Sequence, residues 1–126
     1  MSRAILSLNA LAIGLIGLLY LYNPNILLSR YGLESGSVGM DNMLRATYGG
    51  LYLLSATVFS MGVIVAARRR DALIFLAIFM AGAALGRIVS IIMAGMPPAA
   101  IMPLLYYELI MLAIAVVLAR RASTTD

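Results

Sequence analysis

The chain contains no cysteine and no histidine. Without thiols there are no disulfides, no thiol redox chemistry and no Cys-ligated metal. Without imidazole, His-ligated haem and the commonest general base are also excluded. Lysine is absent too, so the formal net charge of +4 rests on arginine alone. Charge of either sign is scarce: 11% of residues are charged, against about 25% in a soluble domain. With 63% hydrophobic residues and a mean hydropathy of +1.03, the chain cannot cover its own surface with polar groups. Lipid is the solvent this composition suits. The arginines form only short clusters at the ends of apolar runs, not a basic face, so no nucleic-acid partner is expected. There is no nucleotide fingerprint and no pair of carboxylates spaced for acid–base or two-metal work. No cofactor and no metal are therefore expected, and the balance leans away from an enzyme.

What the sequence does have is four apolar runs, roughly 4–22, 43–67, 72–94 and 99–119. Each is close to the ~20 residues that cross a bilayer as a helix. The expected fold is all-α, an integral membrane four-helix bundle forming one domain over 1–126. Arg3 ahead of the first run gives it the look of a signal peptide. The run is too long for an h-region, and no A-x-A site precedes Asn23-Pro24, so a retained helix is expected. Asp41 or Asn42 is placed to cap the second span, and Asp71 the third. Gly95 to Pro98 reads as a tight turn between the third and fourth spans. The loop 23–42 contains ILLSRYGL, which suits a short amphipathic turn along the interface, with Gly36 and Gly39 loosening the re-entry.

The arginines also set an expected orientation. Arg3, Arg68 to Arg70, and Arg120 with Arg121 all fall on one side of a four-span topology. The other side has Arg30, balanced by Glu34 and Asp41, and an uncharged turn. The positive-inside rule then puts both termini of a multi-pass membrane protein in the cytoplasm.

Three ionisable residues lie inside the spans: Arg45, Arg87 and Glu108. A charge at membrane depth costs about 2.5–3.5 kcal/mol on insertion scales, so it normally faces the bundle interior and finds a partner. Arg87 is ten residues before Pro97 and Glu108 eleven after it (97 − 87 and 108 − 97). At ~1.5 Å per residue both sit roughly 15 Å below the turn, so they are expected to pair. A guanidinium fork suits a carboxylate. Gly82 and Gly86, four residues apart ahead of Arg87, suit close helix packing in lipid. In RATYGGLY, Arg45, Tyr48, Gly49 and Tyr52 share one face of an α-helix. Two arginines against one glutamate leave an excess of +1, which points to a site. The expected ligand-binding residues are therefore Arg45, Tyr48, Tyr52, Arg87 and Glu108.

A blander reading stands beside that one. Arg45 is near enough to the interface to snorkel, and Asp41, one turn earlier, could pair with it. Arg87 and Glu108 would then be a structural staple. Tyr20, Tyr22, Tyr31, Tyr106 and Tyr107 suit an aromatic belt better than ligand contacts. Asn9 suits an interhelical hydrogen bond, and the nine methionines suit adaptable packing.

RATYGGLYL, GRIVSIIMAGMPP and YYELIMLAIAV resemble the signature blocks of a bacterial family of four-helix membrane proteins, catalogued as domain of unknown function 4345. The resemblance covers nearly the whole chain. Its blocks centre on the same residues, Arg45, Arg87 and Glu108. The layout is similar, more distantly, to DoxX-like four-helix proteins. Three functions follow as expectations. One is binding or moving a membrane lipid or small anionic or carbonyl-bearing amphiphile. Another, implied by the DoxX-like similarity, is a non-catalytic subunit of a quinone-linked redox complex. The third is a structural or chaperone-like protein without a ligand. A homo-oligomer or a larger membrane complex stays open as the assembly.

Overall fold

In the computed structural model, residues 1–123 are described. Helix α1 spans Ser2–Tyr22, α5 Arg69–Ala94 and α6 Met102–Ser123. The second crossing is a continuous rod over Val38–Ile64 made of α3 (Val38–Leu44), a π-helical segment (Arg45–Leu51) and α4 (Tyr52–Ile64). These four stretches are long and apolar enough to cross a membrane, and the protein is a multi-pass membrane protein. No strand occurs among the described residues.

Each crossing buries one stripe. In α1 the buried residues Leu6, Asn9, Ile13, Gly17 and Tyr20 recur every three or four positions. In α6 the stripe is Leu105, Glu108, Met111, Ala115 and Leu118. The remaining faces carry exposed leucine, isoleucine and methionine, as lipid-facing helices must. Helix α1 packs along the π-helical segment and α4, and α5 packs along α6; α4 and α5 join the two halves. Leu6, Phe59, Leu73, Leu76 and Met80 form the centre of the core. Ser55, Thr57 and Ser60 return their hydroxyl protons to carbonyls one turn back, which satisfies them without water.

Glycine sets the closest approaches. A Cβ on Gly17 would lie 3.0 Å from Leu53 and 3.1 Å from the Gly49 carbonyl, and one on Gly62 would collide with Ala72 and Leu6. Gly82 and Gly86, the pair the sequence marks for packing, behave otherwise. Nothing lies within 4 Å of a Cβ built on either, and both are exposed. Small residues permit close approach, and here no helix takes it.

Several boundaries differ from the sequence reading. Ser37 caps the second crossing, its Oγ accepting the Met40 N–H at 3.1 Å; neither Asp41 nor Asn42 does so. That crossing begins about one turn earlier than the apolar run, because the cap fixes the start and hydropathy does not. Asp71 lies in the first turn of α5, where it favours the positive helix end, but it makes no capping bond. Gly95 ends α5 with φ +89°, outside the range of other residues, and Pro97-Pro98 defers α6 to Met102. The loop after α1 forms a short helix, α2 (Asn25–Leu28), and a 3₁₀ turn over Ser29–Tyr31. Asn25 Oδ1 accepts the Ser35 N–H at 2.9 Å and folds the loop back on itself.

Candidate functional site

Arg87 and Glu108 meet as their depths require. Arg87 Nε donates to Glu108 Oε1 at 2.8 Å and to Oε2 at 2.9 Å, joining α5 to α6. Glu108 is 7% exposed, while the Arg87 side chain keeps 32% of its surface. Nε makes both of these bonds; Nη1 and Nη2 take no part in them. Neither makes a hydrogen bond among the described residues. A guanidinium with two unsatisfied amino groups in an apolar region is an open donor site.

That site borders a cavity of about 240 Å³ between the two halves of the bundle. Tyr48, Tyr52, Phe79, Tyr107, Arg87 and Glu108 line it, together with Ile13, Ile16 and Tyr20 of α1. Its roof is the loop: Leu27, Leu28, Tyr31 and Leu33 all face it. Tyr20 stacks on Tyr48 with ring centroids 5.0 Å apart, Tyr48 meets Tyr52 edge-on at 5.3 Å, and Tyr52 meets Phe79 at 5.4 Å. This aromatic row forms one wall. Beyond it lies a groove of about 570 Å³ between the π-helical segment and α5, lined by Gly82, Gly86 and Ser90 among others. Tyr48, Tyr52, Phe79, Ala83 and Arg87 border both spaces.

Arg45 is not among the residues lining the cavity. Its Nε donates to the Leu21 carbonyl at 3.2 Å, and its Nη1 lies 3.7 Å from Asp41 Oδ2. It therefore satisfies a carbonyl in the last turn of α1, where helix ends leave acceptors free. The helix there is a π-helix. Its hydrogen bonds close over five residues instead of four, so each residue turns through a smaller angle. Across Arg45–Leu51 the angular offset between Arg45 and the two tyrosines therefore differs from that of an α-helix. The excess of +1 expected around Glu108 is consequently not assembled: Arg87 and Glu108 are the charged residues lining the cavity, and they cancel.

Three tyrosines assigned to the interface line the cavity instead: Tyr31 in the roof, Tyr20 and Tyr107. Tyr20 is 8% exposed within the aromatic row. Tyr107 donates to Asn9 Oδ1 at 2.7 Å, and Asn9 Nδ2 donates to the Ile5 carbonyl at 2.9 Å and weakly to Met111 Sδ at 3.6 Å. Asn9 is thus the interhelical bridge expected of it. Tyr22 and Tyr106 are exposed, as a belt requires. The roof residues Leu27, Leu28 and Leu33 and the wall residues Phe79 and Ala83 carry no polar signal that would have singled them out.

Among the described residues no cluster of three metal-ligating acidic side chains occurs. Neither the curated proteins nor the solved structures contain a match to the chain. The model of the family described as Domain of unknown function (DUF4345) matches residues 1–119, nearly the full length, and the chain belongs to that family.

Proposed function

We propose that the protein binds a small membrane amphiphile, with the polar head on Arg87 and the tyrosine row beside it. One observation carries this reading: Arg87 lines the cavity, and its Nη1 and Nη2 make no hydrogen bond among the described residues. A staple needs only the Nε bond to Glu108. Leaving amino groups unsatisfied in lipid is expensive unless something else accepts from them. An anionic head or a carbonyl oxygen is such an acceptor. Tyr48 and Tyr52 supply a flat wall for the first carbons of its chain. Arg45 holds the end of α1 and is no part of this site.

Arg87→Lys separates binding from folding. Lysine keeps the charge opposite Glu108 and loses the planar fork. Gentle detergent extraction followed by native mass spectrometry should find a co-purifying amphiphile on the wild type and on Arg45→Ala. Occupancy of Arg87→Lys should be reduced about tenfold. An unchanged adduct on Arg87→Lys would sink the proposal.

We propose further that the protein lies in a bacterial inner membrane with both termini in the cytoplasm. The support is the six arginines Arg3, Arg68 to Arg70, Arg120 and Arg121 on one side of the four crossings. A C-terminal reporter active only outside the cytoplasm should stay silent, and activity there would reverse the orientation.

A further inference from the structure

We infer that the ligand is an uncharged, single-chain amphiphile with a carbonyl oxygen in its head, and that its tail leaves the cavity sideways into the groove over Gly82 and Gly86. This rests on the preceding reading that the cavity holds an amphiphile. Charge decides the head. Arg87 and Glu108 are bonded at 2.8 Å and are the charged residues lining the cavity; Arg87 alone is charged in the groove. An anion placed on Nη1 and Nη2 would be drawn by the guanidinium and repelled by the carboxylate just behind it. The two terms largely cancel, while the burial of a net charge stays unopposed. A neutral carbonyl, ester or amide oxygen accepts from the same donors and leaves the site neutral.

Volume and access decide the tail. The cavity, at about 240 Å³, falls below the roughly 300–1,000 Å³ of small-molecule sites, whereas the groove is about 570 Å³. Only the side chains common to both spaces separate them: Tyr48, Tyr52, Phe79, Ala83 and Arg87. The loop carrying Leu27 and Tyr31 roofs the cavity, so the open route is lateral, from the lipid. Gly82 and Gly86 form the floor of that route, and nothing else occupies the space above them.

Two probes with the same oleyl chain length test the head. Monoolein is neutral, and oleyl sulfate is charged at every pH. Both are titrated into the delipidated protein in detergent and read by native mass spectrometry. Gly82→Leu and Gly86→Leu, made singly, test the tail, with thermal melts as the check on folding. Both variants should melt near the wild type, because both positions are exposed and a Cβ at either has open space. The wild type should bind monoolein at least tenfold more tightly than oleyl sulfate. Each leucine should weaken monoolein at least tenfold. Equal or tighter binding of oleyl sulfate would overturn the uncharged head and leave the amphiphile site standing. Undiminished monoolein binding by both leucine variants would overturn the tail route. If the wild type binds neither probe, the amphiphile site falls and this inference falls with it.

Discussion

Glu108→Gln should lower stability by about 3–5 kcal/mol, the usual result of removing one partner of a buried ion pair. Both carboxylate oxygens receive the Arg87 Nε proton, and Glu108 sits in the buried stripe of α6. Glutamine preserves the shape and removes the charge, which leaves a guanidinium at membrane depth with nothing to neutralise it. The Arg87 side chain retains 32% exposure, so the lower end of that range is expected. Equilibrium unfolding in mixed micelles measures it. The exchange of both residues, Arg87→Glu with Glu108→Arg, should recover part of the loss, since the pair is re-formed with its ends reversed. Strictly additive damage in the double variant would show that the two side chains do not act on each other.

Gly62→Ala should cost about 1–3 kcal/mol, the range for forcing extra volume into a packed interior. The added methyl would collide with the Cβ of Ala72 in α5, a short rigid group, and would crowd Leu6 in α1. Three crossings meet at this point. Arg69 Nε also donates to the Gly62 carbonyl at 3.2 Å, so a shift of the backbone there disturbs the turn into α5 as well. Gly82→Ala in α5 provides the contrast and should stay within ~0.5 kcal/mol of the wild type. Equal melting temperatures for Gly62→Ala and the wild type would mean that the helices have room to part at Gly62.

The sequence reading succeeded where burial cost alone decides position. Four apolar runs mark four crossings, and counting residues from a hairpin turn puts Arg87 opposite Glu108. Both arguments need only length and the expense of charge in lipid. It failed where a local change in helix winding intervened. RATYGGLY has the spacing of one α-helical face, but the segment is wound as a π-helix, and the Arg45 side chain bonds the Leu21 carbonyl outside the cavity lining. Hydrogen-bond register inside a helix leaves no mark in the spacing of residue types. The Gly82–Gly86 pair failed for another reason. Its chemistry allows a neighbour at close range, and whether one arrives depends on how the two halves of the bundle lean together. The roof over the cavity was similarly out of reach, because the fold-back at Asn25 and Ser35 is a tertiary bond between ordinary loop residues.

The tyrosine row has an optical consequence. The chain has seven tyrosines and no tryptophan, so no indole dominates its ultraviolet emission. Tyr20, Tyr48 and Tyr52 stand with ring centroids 5.0 and 5.3 Å apart in a fixed chiral order. Rings this close couple their electronic transitions, and the near-ultraviolet circular dichroism of the protein is weighted toward this one wall. The molecule therefore carries its own unlabelled chromophore along the wall of the cavity, and any change in the packing of those three rings is written directly into its spectrum.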